Sequence, residues 1–181
     1  MSNIVRVRIN WDHVPLIKCP PGFHLLNVLP EPEYPFGRKG LALASGWDQL
    51  RGTPSAAGML MLDSDVAVDP EEVAIMEEAI HADPLAVHIA PVRLWPASTK
   101  LDTWVWGHGL RKFSQDDDPD APGIFTFCFT YLPERLIIAC VTAGLKTWTY
   151  PLVDQRVSKV ARGLRLKTHT VRGCAPVHLN Y

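Results

Sequence analysis

Asp63 and Asp65 stand one residue apart, directly after Met59-Leu60-Met61-Leu62, an apolar run too short for a helix. A run of this kind that stops abruptly at a charge reads as a strand buried on both faces, with the two carboxylates at its carboxyl end. In open α/β sheets that end faces the crevice where ligands bind. Two hard oxygen donors there suit a divalent cation, and the cation suits a diphosphate. As a bond to a diphosphate breaks, the leaving group gains negative charge, which Mn²⁺ or Mg²⁺ neutralises without a proton. The bare pair is not specific, because acidic residues at this spacing also cap turns and helices. A calcium loop is excluded, since Ala67 and Val68 occupy the positions that need an oxygen ligand and a glycine.

The flanking residues supply elements to position such a pair. Val5, Val7 and Ile9 alternate with Arg6 and Arg8, the period of a half-buried strand, and prolines from Pro15 to Pro35 then predict loops and short strands. Leu43, Trp47 and Leu50 fall on one helical face that ends before Gly52 and Pro54. After the acidic pair, Asp69 suits a helix cap, Pro70 the first helical position, and Glu71 and Glu72 the positive end of the helix dipole. Val73, Met76 and Ile80 give that helix its inward stripe, and Pro84 ends it.

Leu85, Val87 and Ile89 alternate as a further strand, Trp104 and Trp106 lie on a possible next one, and Phe125, Phe127 and Phe129 on another. Residues 110–123 are too acidic for a core and predict a mobile loop. Pro133 opens a helix with Leu136, Ile137, Cys140 and Val141 inward, closed by Gly144, and Trp148 and Tyr150 mark a short strand. A last helix begins near Asp154, where the carboxylate is placed to cap it, and buries Val157, Val160 and Ala161. Leu164 and Leu166 then alternate into a terminal strand. Strands alternating with helices imply an α/β sandwich.

The 181 residues suit one compact domain, 1–181, with residues 1–36 as its proline-rich start. A formal charge of -1 predicts no general attraction to polyanions, so partners must be recognised locally. Cys19, Cys128, Cys140 and Cys174 are too scattered for a zinc site and read as reduced thiols, no apolar run is long enough to cross a bilayer, and a cytoplasmic location is expected.

The stretch Gly58-Met-Leu-Met-Leu-Asp63-Ser-Asp65-Val-Ala-Val-Asp69-Pro-Glu-Glu-Val73 resembles the metal-binding segment of GT-A glycosyltransferases. Arg38-Lys39-Gly40-Leu-Ala-Leu-Ala-Ser45 resembles the helix before it, Tyr150-Pro151-Leu-Val-Asp154 the segment of the acceptor-activating acid, and Val177-His178-Leu-Asn-Tyr181 the late strand with a metal-ligating histidine. The resemblance implies a Rossmann-like GT-A sandwich, a central mixed and mostly parallel sheet flanked by helices. It implies that Asp63, with Arg38 and Lys39, meets the nucleotide-sugar, that Asp65 and His178 ligate Mn²⁺ or Mg²⁺ with Asp63 sharing metal duty, and that Asp154 takes the acceptor's proton. Two departures stand out: the first strand and base pocket should occupy the N-terminus, which is short and proline-rich here, and Val153 stands where the family has an acid before Asp154.

The acceptor is open to a modified DNA base, a protein or a small molecule. Arg156, Lys159, Arg162, Arg165, Lys167 and Arg172 run without an intervening acid, which admits a phosphate-bearing acceptor and equally a solvated surface. His108, between two glycines and near Trp104 and Trp106, is placed for a mobile flap and carries no catalytic role. Three rivals are distinct in chemistry. A haloacid-dehalogenase-type phosphatase would use Asp63 as nucleophile. A nucleotidyltransferase would need a glycine-rich phosphate loop, which Pro21-Gly22 is not. A non-catalytic module would bind nucleotide-sugar without turnover.

Overall fold

A computed structural model of the chain describes residues 3–11, 19–35, 37–52, 54–91, 93–95, 128–149, 152–174 and 176–179. Six strands form a central mixed sheet: β1 (Ile4–Trp11), β2 (His24–Val28), β3 (Gly58–Leu62), β5 (Val87–Ile89), β7 (Phe129–Pro133) and β8 (Thr168–Thr170). Their order is β2-β1-β3-β7-β5-β8, with β7 antiparallel to both neighbours and the other pairings parallel. A second, three-stranded sheet has the order β4 (Val66–Ala67), β9 (Val177–Leu179) and β6 (Arg93–Trp95).

Helices cover both faces of the large sheet. Residues α1 (Lys39–Leu50), α3 (Glu134–Thr142) and α4 (Leu152–Gly163) pack Leu43, Trp47, Leu136, Ile137, Val157 and Ala161 against Val7, Ile9, Met59 and Met61. On the opposite face, α2 (Pro70–Ala82) packs Met76 and Ile80 against Leu60, Leu62, Phe129 and Tyr131. The period of two along β3 therefore splits its methionines and leucines between two cores, and all five of its residues are buried.

The helices start and stop where the sequence signals lie. Asp69 and Glu72 form a capping box at α2, with the Asp69 N–H donating to Glu72 Oε2 at 2.9 Å, and Pro70 takes the first helical position. Beyond α3, Gly144 adopts the left-handed conformation at φ 94°. At Gly40 the first turn of α1 approaches the chain before α4 so closely that a Cβ would sit 2.0 Å from the Leu145 carbonyl oxygen.

Several local expectations are corrected. Trp148 follows a 3₁₀ turn over Leu145–Thr147 instead of lying on a strand, and Tyr150 is outside the described residues. Leu164 and Leu166 belong to the turn that ends α4, and the strand begins only at Thr168. Leu85 lies outside β5 and is exposed, and Val73, Val141 and Val160 pack at the edge of their cores rather than within them. Asp154 lies inside the first turn of α4, which starts at Leu152, so it is not the cap. The Trp104–His108 segment, residues 110–123, Phe125 and Phe127 fall outside the described residues.

The alternation in β1 has the right period, yet Arg8 does not face water and Arg6 does so only in part. Their side of the sheet is covered by α2: Arg6 pairs with Glu77 of that helix, and Arg8 is fully buried. Buried on the same sheet, His88 stands beside Tyr131 and His169 in the cross-strand register. Its Nε2 donates to the Asp83 carbonyl at 2.8 Å. Burial lowers the His88 pKa, the bond to Asp83 opposes the shift, and His169 adds to it.

Because folding makes His88 harder to protonate than an unfolded histidine, which binds a proton near pH 6.5, the unfolded state takes up more protons around and just below that value. Stability should therefore fall as pH drops below about 6.5. We expect the urea midpoint to decline from about pH 7 to about pH 5.5, and the decline to shrink in His88→Gln, which keeps a donor but cannot titrate. A midpoint equally pH-dependent in the variant would remove His88 as the cause.

Candidate functional site

The acidic pair occupies the turn that follows β3. The Val66 N–H donates to the Asp63 carbonyl at 3.2 Å and closes a four-residue turn, while the Asp63 N–H donates to the Cys128 carbonyl at 3.1 Å. Arg8 pairs in register with Leu62, the last residue of β3, so its side chain lies level with the turn. From there its Nη2 donates to the Ser64 carbonyl at 2.7 Å and to the Val66 carbonyl at 2.8 Å. One buried guanidinium thus fixes the backbone on both sides of Asp65. Ser64 is itself fully buried, and its hydroxyl has no hydrogen-bond partner among the described residues.

The two carboxylates have different neighbours. Asp63 Oδ1 accepts from Lys39 Nζ at 2.7 Å, and Lys39, the first residue of α1, is only 3% exposed. The Lys39 ammonium also lies 5.6 Å from the centre of the Trp11 ring. Burial alone would lower the Lys39 pKa, but the charges of Asp63 and then Asp154 outweigh it and hold the ammonium above its ordinary range. Asp154, in the first turn of α4, therefore belongs to the same electrostatic neighbourhood as the acidic pair.

Asp65 meets a different group. β4 begins at Val66 and pairs antiparallel with β9, placing Val66 opposite His178. That register brings His178 Nε2 to 3.4 Å from Asp65 Oδ2. Burial pushes the Asp65 pKa up, His178 pulls it down, Asp63 pushes it up again, and the net shift is upward. Asp65 is thus a carboxylate whose charge the protein leaves incompletely compensated. The second nitrogen of His178 is buried without a partner among the described residues.

Of the residues expected from the sequence, Asp63, Lys39, Asp65, His178 and Asp154 are brought into one neighbourhood. Arg38 is not tied to the acidic pair: it bonds Glu31 at 2.9 Å and stacks over Tyr34, holding the proline-rich segment. Arg8 was not singled out from the sequence. An arginine inside an alternating strand gives no sign of its burial unless the second face of the sheet is known to be covered.

Asp65 and His178 offer one oxygen and one nitrogen donor, a mixture that Mn²⁺ accepts and that carboxylate-preferring Mg²⁺ accepts less readily. Two ligands about 2.1 Å from one ion at right angles stand about 3 Å apart, close to the observed spacing. Among the described residues no group of three or more His, Cys, Asp or Glu side chains is gathered closely enough to hold a metal ion. Asp63, Asp65 and His178 are therefore no closed cage, and any ion here needs further ligands from a substrate or water. The donor set fits the incomplete kind of site that a diphosphate completes.

No family model and no curated protein matches the sequence. In fold the chain is similar to A197 from STIV, with a TM-score of 0.52 at 12% identity, over 99% of this chain and 86% of that one. At that identity the likeness extends to the fold alone.

The Lys39–Asp63 pair joins α1 to the sheet. Removing one member of a buried pair strands the other charge, at a typical cost of about 3–5 kcal/mol. Lys39→Met should lower unfolding stability by about that amount, and adding Asp63→Leu should recover most of the loss, both read from urea unfolding. A wild-type midpoint for Lys39→Met would show that the pair does not hold this end of the fold.

Proposed function

We propose that the chain is a metal-dependent glycosyltransferase that moves a sugar from a nucleotide-diphosphate sugar to an acceptor hydroxyl, on a Rossmann-like sandwich of the GT-A type. The observation that carries this reading is the β4–β9 register, which brings a histidine from near the chain's end to 3.4 Å from the second aspartate of the turn. The mixed, mostly parallel sheet with the acidic turn at the carboxyl end of an inner strand supports it. Four free cysteines, three of them buried, suit a reducing compartment, and we place the protein in the cytoplasm. Among the described residues no helix is long and apolar enough to cross a membrane.

Each residue then has a task. Asp65 and His178 would hold Mn²⁺ or Mg²⁺, which supplies positive charge against the departing diphosphate. Lys39 takes Asp63 Oδ1 and leaves Oδ2 to accept from a ribose or sugar hydroxyl. Arg8 keeps the turn from shifting as a charged ligand arrives, through its two bonds to the turn carbonyls. Asp154 accepts the proton of the acceptor hydroxyl as that oxygen attacks the anomeric carbon from the face opposite the diphosphate, which inverts the centre. With Asp154 only positioning the acceptor, the same site would permit retention. Arg38 contributes to the donor side indirectly, by anchoring the proline-rich segment through Glu31.

Ligand binding stabilises a fold by mass action, so a panel of nucleoside diphosphates with and without Mn²⁺ tests the reading by thermal shift. One nucleotide should raise the melting temperature only when Mn²⁺ is present, and Asp65→Asn should abolish the rise. Asp154→Asn should keep the shift and lose sugar transfer by about 10²-fold or more. No shift with any nucleotide sinks the proposal, and a phosphoenzyme trapped at Asp63 would replace it with phosphatase chemistry.

A further inference from the structure

Arg156, Lys159, Arg162, Arg165, Lys167 and Arg172 are all exposed, and none has a carboxylate ion pair among the described residues. Lys167 acts on the carboxylate of Asp83. The first three occupy the outer side of α4, whose inner side buries Val153, Val157 and Ala161. The others follow the helix end and flank β8, the edge strand of the large sheet. Arg156, Lys159, Arg162 and Arg165 thus form a cationic ridge along α4 and its C-terminal turn, whereas Lys167 and Arg172 lie toward α2 on the other face of the sheet. At the ridge's N-terminal end Arg156 lies over the Trp148 ring, 5.7 Å from the centroid, which orients one guanidinium.

Arg165 gives the ridge a second, independent mark. α4 ends in a Schellman arrangement: the Leu166 N–H donates to the Ala161 carbonyl at 3.1 Å and the Arg165 N–H to the Arg162 carbonyl at 3.0 Å. The residue between must be left-handed, and Arg165 has φ 53°, the one described non-glycine residue with positive φ. Glycine is the usual occupant because it bears no Cβ penalty. Here the chain carries a strained arginine, and strain of this kind concentrates where a side chain is used.

We propose that this ridge binds the phosphodiester backbone of a nucleic-acid strand along the outer side of α4, so that the acceptor hydroxyl is carried by a nucleic acid whose reacting end reaches round the helix start to the site. The acceptor role rests on the glycosyltransferase reading; the binding does not. Guanidinium groups match phosphate oxygens in bidentate geometry, and three of the ridge's four cations are arginines. A bilayer fits less well, because a membrane-surface helix needs an apolar face to insert, and that of α4 is spent on the core.

Fluorescence anisotropy with short labelled DNA and RNA oligonucleotides tests the ridge. Wild type should bind and weaken steeply between about 50 and 200 mM salt. Replacing Arg156, Lys159 and Arg162 together by Gln should weaken binding at least tenfold and reduce the salt slope by about 0.7 for each cation lost on a single strand. Arg165→Gly is the sharper variant: it should raise the melting temperature by relieving the left-handed strain, and still weaken binding. No wild-type binding, undiminished binding in both variants, or equal binding to phosphatidylserine vesicles would overturn the proposal. The Mn²⁺-dependent nucleotide shift separates the two readings. Its retention in variants that lose the oligonucleotide confines the loss to the ridge; oligonucleotide binding without any nucleotide shift leaves the ridge standing and removes the donor.

Discussion

The site depends on a lysine that has been taken out of water. Lys39 is held among the first turn of α1, the end of β3 and the start of α4, and its charge is retained only because Asp63 and Asp154 face it. An isolated ammonium at that depth would release its proton, so the position of three elements is coupled to one charge balance. Gly40, the next residue, permits the close approach that this balance needs: any side chain there would drive the 145–148 segment, and α4 after it, away from α1. The sequence Lys-Gly at a helix start is thus an electrostatic contact and a steric allowance in adjacent residues.

From that balance follows the difference between two carboxylates only one residue apart. Asp63 has a full positive partner at 2.7 Å, whereas Asp65 has a histidine at 3.4 Å and the repulsion of Asp63. In the proposed function the unequal partners suit unequal tasks, since a compensated carboxylate accepts hydrogen bonds and an undercompensated one attracts a cation. Arg8 supports both by fixing backbone, not side chains. A buried guanidinium satisfying two turn carbonyls leaves the carboxylates outside its own hydrogen bonds, so the turn is rigid and its charges remain available.

Much of the frame was legible because it is written in local chemistry. The apolar run before Asp63, the Asp69-Pro70 start with Glu72 three residues on, and Gly144 after α3 each specify a boundary through their own backbone preferences. What stayed hidden depends on residues far apart in sequence. Arg8 looked solvent-facing because a period of two says which residues share a face and nothing about α2 covering it. Leu164 and Leu166 imitated a strand because a Schellman turn also alternates buried and exposed positions, and a left-handed arginine is not an expected C-terminal signal. The nearness of His178 to Asp65 was suggested only by resemblance; the two-residue strand that delivers it has too little pattern to read.

That short strand divides the site into parts of unequal stability. Lys39, Asp63 and Arg8 rest on α1, β1 and β3, whose core residues are fully buried over two cores. His178 rests on β9, three residues long and paired with two residues of β4 and three of β6, so far fewer contacts hold it. Local opening free energies follow such differences in buried area and pairing, so the histidine side opens at lower cost than the lysine side. A ligand that bridges Asp65 and His178 ties the small sheet to the large one and recovers that cost as binding-linked stability. In the proposed reaction the Lys39–Asp63 side of the site is thus built in advance, and the Asp65–His178 side is completed by what binds.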